Sequence, residues 1–299
     1  MSRCFALSQA LRDKGAECRW ILNDDAKPQA ASLGITNAAF FSDPFGGDAP
    51  DFPEGSDFAV VDSYAPGEDF YKSAAARTRL VAIDDLHDRG VERFASVVVN
   101  YGIEAKRELY GVADCEYLLG PRYALLRKEY WDMTPAEGDY VLFVPGAADV
   151  AGCAAALAGW WRDEMEKLVI VLGSLVTDCR RERAFCAARG HGNVEILVSP
   201  PGFASLLANA GRVICSASVT AYEALAMEKK TAVFAVAENQ RGLGERLSEI
   251  GAAYDLGNWE CAGFGSVKDA LDFVPALGVL RGLVNKRGAV ACAEGILDS

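Results

Sequence analysis

The segment Cys215-Ser-Ala-Ser-Val-Thr-Ala-Tyr-Glu-Ala-Leu225 closes an apolar run with small hydroxyl residues and passes directly into helical spacing. A strand that turns so quickly into a helix leaves the first helical N–H groups and the positive end of the helix dipole free to receive an anion. Ser216, Ser218 and Thr220 add hydroxyl donors, and Glu223, one turn in, is placed to accept from the hydroxyls of a sugar. The plainer alternative is an N-capped helix carrying a surface glutamate. Val144-Pro-Gly-Ala-Ala-Asp149 has the same grammar, a strand running into a small-residue turn and then a helix. Gly146 and Ala147 would let a ligand approach the backbone, whereas Asp149 is either a contact or, more simply, a helix cap. Neither turn has Walker or Rossmann glycine spacing, so ATP and NAD are not indicated and no cofactor is expected.

In the first half, Val60-Val-Asp-Ser-Tyr64 and Ile83-Asp-Asp-Leu86 place carboxylates and a phenol at the carboxyl ends of apolar strands. That edge of an open α/β sheet is where ligands bind. Asp62 and Asp84 there can orient a hydroxyl-rich substrate, or cap helices and hold loops. His87, beside two aspartates, invites an acid/base reading, against which stands a solvated loop histidine. Ala237-Glu-Asn-Gln240 follows another buried run, and its Asn239 and Gln240 amides suit a sugar or a base edge without adding charge. Gly120-Pro-Arg-Tyr-Ala-Leu-Leu-Arg-Lys-Glu-Tyr-Trp131 crowds aromatic and charged residues together, with an amphipathic helix as its plain reading.

Composition narrows the classes. The chain has 299 residues, 51% hydrophobic and 24% charged, enough for two domains of ordinary size. A net charge of −12 argues against a nucleic-acid partner, which needs a concentrated basic face. The apolar run from Val150 to Trp161, closed by Arg162, falls short of the roughly 20 residues that span a bilayer. Arg3, Gln9, Arg12 and Asp13 interrupt the start, so a secretory signal is not read there and the cytoplasm is the expected compartment. Nine cysteines without a C-x-x-C pair read as reduced, mostly buried thiols, and two distant histidines give no zinc signature. No metal is expected.

Short β-rich runs alternate with amphipathic stretches along the whole chain, the pattern of an α/β fold. Strands are expected at Cys18–Leu22, Phe58–Asp62, Leu80–Asp84, Ser96–Asn100, Tyr140–Val144, Leu168–Leu172, Val194–Ser199, Arg212–Cys215 and Thr231–Val236. Helices are expected at Ser2–Lys14, Asp149–Lys167, Asp178–Ala188, Phe203–Ala210, Thr220–Glu228, Gly242–Ile250 and Val267–Phe273. Gly15, Gly211 and Gly251 stand where helix ends take a left-handed residue. Asp43–Asp57, rich in Pro, Gly and Asp, reads as a surface loop, and Asp132–Asp139 as the linker between domains 1–135 and 136–299. The first element is a helix that ordinarily follows a first strand. Without that strand, two neighbours in a doubly wound sheet would keep unpaired edges, and a strand is therefore expected upstream of Met1.

In order, Arg3-Cys4, Val61-Asp-Ser-Tyr64, Ile83-Asp-Asp-Leu86, Asn100, the Gly120–Tyr130 block, Gly146-Ala-Ala-Asp149, Ser216-Ala-Ser218 with Thr220 and Tyr222-Glu-Ala-Leu225, and Glu238-Asn-Gln240 span nearly the whole chain. Together they resemble the UDP-sugar hydrolases of the pseudaminic acid pathway, relatives of the MurG-type glycosyltransferases. The resemblance implies a GT-B-like architecture, two Rossmann-like domains facing across a cleft, with UDP held mainly by the second. It implies hydrolysis of a UDP-linked 2,4-diacetamido-2,4,6-trideoxy sugar to free sugar and UDP, without a metal. Water attacks the anomeric carbon with inversion, and backbone N–H groups and helix dipoles receive the leaving diphosphate.

By the same resemblance, Tyr64 and Asn239 serve catalysis, while Arg3, Asp62, Asp84, Tyr123, Gly146, Asp149, Ser216, Ser218, Thr220, Glu223 and Gln240 hold UDP or sugar. The family's base is a His in a Gly-x-Gly-His-x-x-Arg-Cys turn, a position that falls directly before Met1. Val219, Ala147 and Lys229-Lys230 depart from the family pattern. A GT-B glycosyltransferase, an inactive nucleotide-sugar-binding relative and a ligand-free interaction protein are the competing readings, and the hydrolase leads.

Overall fold

Runs that are apolar on both alternations form the buried strands, because parallel strands covered on both faces have no side turned to water. A computed structural model describes residues 1–46, 55–276 and 278–299. It divides the chain into unit 1, Met1–Lys128 with Arg287–Ser299, and unit 2, Glu129–Lys286. Residues 47–54 of the expected Asp43–Asp57 loop lie outside the described residues.

Unit 1 runs α1 (Ser2–Asp13), β1 (Trp20–Asn23), α2 (Lys27–Ser32), β2 (Ala38–Phe41), β3 (Phe58–Val61), α3 (Glu68–Ala75), β4 (Arg79–Ile83), β5 (Val97–Asn100) and β6 (Glu116–Leu119). All described pairings are parallel, in two sheets: β1-β2, and β3-β4-β5-β6. β1 and β3 are therefore both edge strands among the described residues. The consequence shows in β3, where Phe58, Ala59 and Val60 are only half-buried, although they are as apolar as Leu80–Ile83 and Val97–Val99 inside the sheet. Helix α1 turns Ala6, Leu7, Ala10 and Leu11 into the core.

Unit 2 runs β7 (Tyr140–Val144), α4 (Cys153–Trp160), β8 (Lys167–Leu172), α5 (Asp178–Ala188), β9 (Val194–Val198), α6 (Phe203–Ala208), β10 (Arg212–Ser216), α7 (Val219–Ala226), β11 (Lys230–Ala235), α8 (Arg241–Glu249), β12 (Ala253–Asn258) and α9 (Phe264–Asp272). Its six parallel strands lie in the order β12-β11-β10-β7-β8-β9. From β7 the chain winds outward through β8 and β9, then returns to the other side of β7 and winds outward through β10, β11 and β12. The order therefore reverses between β7 and β10. On one face Phe143, Phe234 and Trp259 pack with ring centroids 4.6–5.7 Å apart.

The last helix, α10 (Gly288–Asp298), belongs to unit 1 and packs on α1, where Lys14 pairs with Glu294 at 2.7 Å. This differs from a division at 135/136 with the tail in the second domain. The Asp132–Asp139 segment is held to unit 2: the Ala136 N–H donates to Ala208, the Lys229 ammonium donates to the Ala136 carbonyl, and Lys286 donates to the Met133 carbonyl. No helix of the described residues is long and apolar enough to cross a membrane.

Several elements depart from the sequence reading. The expected Asp149–Lys167 helix shrinks to α4, because Asp149 and Gly152 are left-handed before it and Trp161 is extended after it. The plain helix over 120–131 becomes two 3-10 turns, Pro121–Tyr123 and Lys128–Tyr130, around buried Ala124, Leu125 and Leu126. Gly15 and Gly251 are left-handed as expected, but Gly211 is not; it lies against the backbone of Gly138, where a Cβ has no room. Strands β2, β6 and β12, and helices α2, α3 and α10, were not expected. β12, with Asp255 and Gly257, has weak strand propensity and forms through its pairing with β11.

Candidate functional site

In unit 2, the turn after β7 and the turn after β10 emerge from adjacent strands, paired Val144 to Cys215, on either side of the reversal in strand order. Open α/β sheets bind ligands in that crevice at the carboxyl ends of the strands. Gly146 has φ +99°, and a Cβ built there would stand 3.3 Å from the Ser216 hydroxyl oxygen, so a side chain would both strain the turn and crowd the serine. The Ser216 and Ser218 hydroxyls lie 3.2 Å apart. Helix α7 starts at Val219 with no side-chain cap, leaving its first turn oriented toward this edge. Thr220, in that turn, is half-buried. Glu223 follows on α7 and is 5% exposed, a buried carboxylate rather than a surface one.

The turn after β11 adjoins on the far side of β10. Asn239 is exposed there, whereas the Gln240 side-chain carbonyl accepts from the Val236 N–H at 2.9 Å and closes the turn. That carbonyl is committed to the backbone. Asp149 has a similar internal task. It is 2% exposed, and its two oxygens accept from the Cys153 and Ala154 N–H groups at 2.7 and 3.3 Å, at the start of α4. Burial raises its pKa above the ordinary aspartate value, against the lowering effect of those bonds. The carboxylate expected to contact ligand is thus a cap, the simpler of its two sequence readings.

In unit 1, polar groups collect at the carboxyl ends of β3 and β4. Arg3, in the first turn of α1, donates to both oxygens of Asp62 at 2.5 and 3.2 Å and to Asp85 at 2.6 Å. Burial would lower the Arg3 pKa, but Tyr101, Asp62 and Asp85 hold it above the ordinary value. The Cys4 thiol lies 3.7 Å from Asp62, and burial, with that carboxylate beside it, pushes its pKa up to about 12. It is a protonated thiol at neutral pH, not a nucleophile. The Tyr64 hydroxyl donates to both oxygens of Asp85 at 2.8 and 2.9 Å, and burial together with this bond raises its pKa.

Asp84 turns the other way. It is fully buried and takes Arg89 at 2.9 Å, and burial raises its pKa against the lowering effect of that guanidinium. No atom of its side chain is open to a ligand. Asn100 is also internal: its amide donates to the Tyr110 hydroxyl at 2.9 Å and accepts from Gly102 at 2.9 Å, while Tyr110 donates to the Asp84 carbonyl at 3.1 Å. His87 is left-handed, φ 47°, with its ring edge-on to Tyr110 at 6.4 Å.

Known structures carry the same arrangement of strands and helices. A MurG from Acinetobacter baumannii aligns over 99% of this chain and 95% of its own, at 12% identity and a TM-score of 0.62. A putative UDP-N-acetylglucosamine 2-epimerase from Listeria monocytogenes aligns over 99% and 91%, at 13% identity and 0.62, and an S. aureus MnaA–UDP co-structure over 99% and 91%, at 11% and 0.57. This is an α/β fold with parallel sheets that matches GT-B glycosyltransferase structures. No protein-family model and no curated protein matches the sequence.

Within this GT-B-type fold, Gly146, Ser216, Ser218 and Thr220 share one sheet edge in unit 2, and Arg3, Asp62 and Tyr64 share one in unit 1. Tyr123 stands apart from the latter, after β6, two strands beyond β4. Arg122 lies over its ring at 4.6 Å, and its carbonyl faces the Cys292 thiol of α10. Within the Gly120–Tyr130 block, Ala124, Leu125, Leu126 and Tyr130 are buried. Sequence reasoning named Asp85 only within the Ile83–Leu86 motif, gave it no role, and passed over Arg89. A usable signal was present, because adjacent aspartates at a strand end cannot both turn inward, and an arginine closes the same short loop.

Proposed function

We propose that the chain acts on a UDP-sugar, holding the diphosphate at the β7/β10 reversal of unit 2 and releasing UDP. The observation that carries this reading is the convergence there of Gly146, Ser216, Ser218 and the uncapped start of α7. N–H groups and hydroxyls that converge at a helix start receive a diphosphate and stabilise the charge it gains on leaving. The likeness to structures that include a UDP complex supports the same nucleotide. Glu223 would take ribose hydroxyls and Asn239 the sugar-side groups.

The reaction we propose is hydrolysis: water attacks the anomeric carbon of a 2,4-diacetamido-2,4,6-trideoxy sugar, the carbon–oxygen bond to UDP breaks, and configuration inverts. Tyr64, its hydroxyl fixed by Asp85, is the unit 1 residue we assign to catalysis. The MurG likeness favours a second reading, transfer of the sugar to an acceptor. Release of UDP from UDP-sugar separates them. Hydrolysis predicts release in water alone, whereas release only on adding an acceptor alcohol favours the transferase. His87→Ala is expected to leave the rate of UDP release unchanged, whereas loss of a general base lowers rates by about 10²- to 10⁴-fold. Full activity that vanishes in His87→Ala would make the Asp84–His87 loop the catalytic one.

A further inference from the structure

Tyr64 is 51% exposed, yet it is held at two places. Its hydroxyl is bound by Asp85, and the Arg89 guanidinium lies over its ring at 5.5 Å from the centroid. Through Nη1, Arg89 also donates to the carbonyl of Ser63, the residue before Tyr64, and to the Tyr71 hydroxyl of α3 at 3.2 Å. Its Nη2 donates to Asp84 at 2.9 Å. The adjacent aspartates thus divide the work. Asp84, buried, fixes the cation that holds the backbone and one ring face of Tyr64, while Asp85, facing outward, takes the hydroxyl.

An aromatic ring half in water gains little packing of its own, so two polar restraints on it serve its orientation more than its burial. With Arg89 on one face, the exposed area is the other face and the free edge. A flat apolar face of fixed tilt is complementary to the C–H face of a pyranose ring.

We propose that Arg89 is a positioning residue, which presents the free face of the Tyr64 ring as a platform for a pyranose ring. This rests on the UDP-sugar reading for the identity of the ligand, though not for the hold of Arg89 on Tyr64. Tyr64 then acts through its ring, with its hydroxyl already engaged by Asp85.

The test uses the protein labelled with [13C]tyrosine, the Tyr64 ring signal being assigned by its loss in Tyr64→Phe. In Arg89→Gln that signal is expected to move toward the shift of free tyrosine, in Arg89→Lys to move less, and in Asp84→Asn to follow Arg89→Gln. A Tyr64 signal that stays in place in all three variants, each shown to be folded by its other tyrosine signals, overturns the positioning role. In wild type the signal is expected to move with UDP-N-acetylglucosamine and to stay with UDP. If UDP binds and the sugar nucleotide leaves Tyr64 unmoved, the platform is wrong. If UDP itself does not bind, the UDP-sugar reading fails, and the Arg89 variants still decide the positioning.

Discussion

The Arg3 guanidinium binds both oxygens of Asp62, joining the first turn of α1 to the residue that follows β3. The main-chain amino group of Met1 stands 3.9 Å from the same carboxylate. The start of α1 is therefore fixed at the carboxyl end of β3.

With the Arg3 and Asp62 side chains only 15% and 6% exposed, removing one partner leaves a desolvated charge. Arg3→Met is expected to cost about 3 kcal/mol or more, and Arg3→Met with Asp62→Asn to recover part of that. Denaturant unfolding of the single and double variants measures it. Additive losses would show that the two side chains act independently.

Amide exchange in β1 and β3 is expected to be faster than in β4 and β5, because both present an unpaired edge among the described residues. Equal or slower exchange in β1 and β3 would show that those edges are covered.

Glu223→Ala is expected to weaken UDP binding by about tenfold or more, since a hydrogen bond to a charged group contributes roughly 1.5–3 kcal/mol. Calorimetry on the folded variant reads this directly. Unaltered affinity would move the ribose away from α7.

Asp149 sets a pH dependence. Its folded pKa is raised by burial, so its favourable contribution is full below the ordinary aspartate value of about 4 and is lost as pH rises through the folded value. Relative to wild type, Asp149→Asn is expected to gain stability between about pH 4 and pH 7. Melting curves across that range check the sign, and a constant difference would show that Asp149 keeps an ordinary pKa.

Much of the fold was legible. Leu168–Leu172 and Ala232–Ala235 are apolar on both alternations, as parallel strands covered on both faces require, and Phe58–Val61 reads the same way although its edge position leaves Phe58–Val60 half-buried. The turns at Gly146 and Ser216–Ser218 were equally readable, because small residues directly after such a run leave room for a ligand. β2, β6 and β12 were missed because four to six residues of mixed propensity become strands only through a neighbour.

The sequence by itself determined the alternation of strands and helices, the strand-end turns and the kind of chemistry they can host, since each depends on residues close together in the chain. Tertiary structure decided which of two adjacent aspartates faces in, that Asp149 caps a helix, that Gln240 closes its own turn, and that 287–299 return to unit 1. Those outcomes depend on burial and on partners far away in sequence. A carboxylate written in the chain is the same whether it meets a ligand, a backbone amide or Arg89, and only the packing around it settles which.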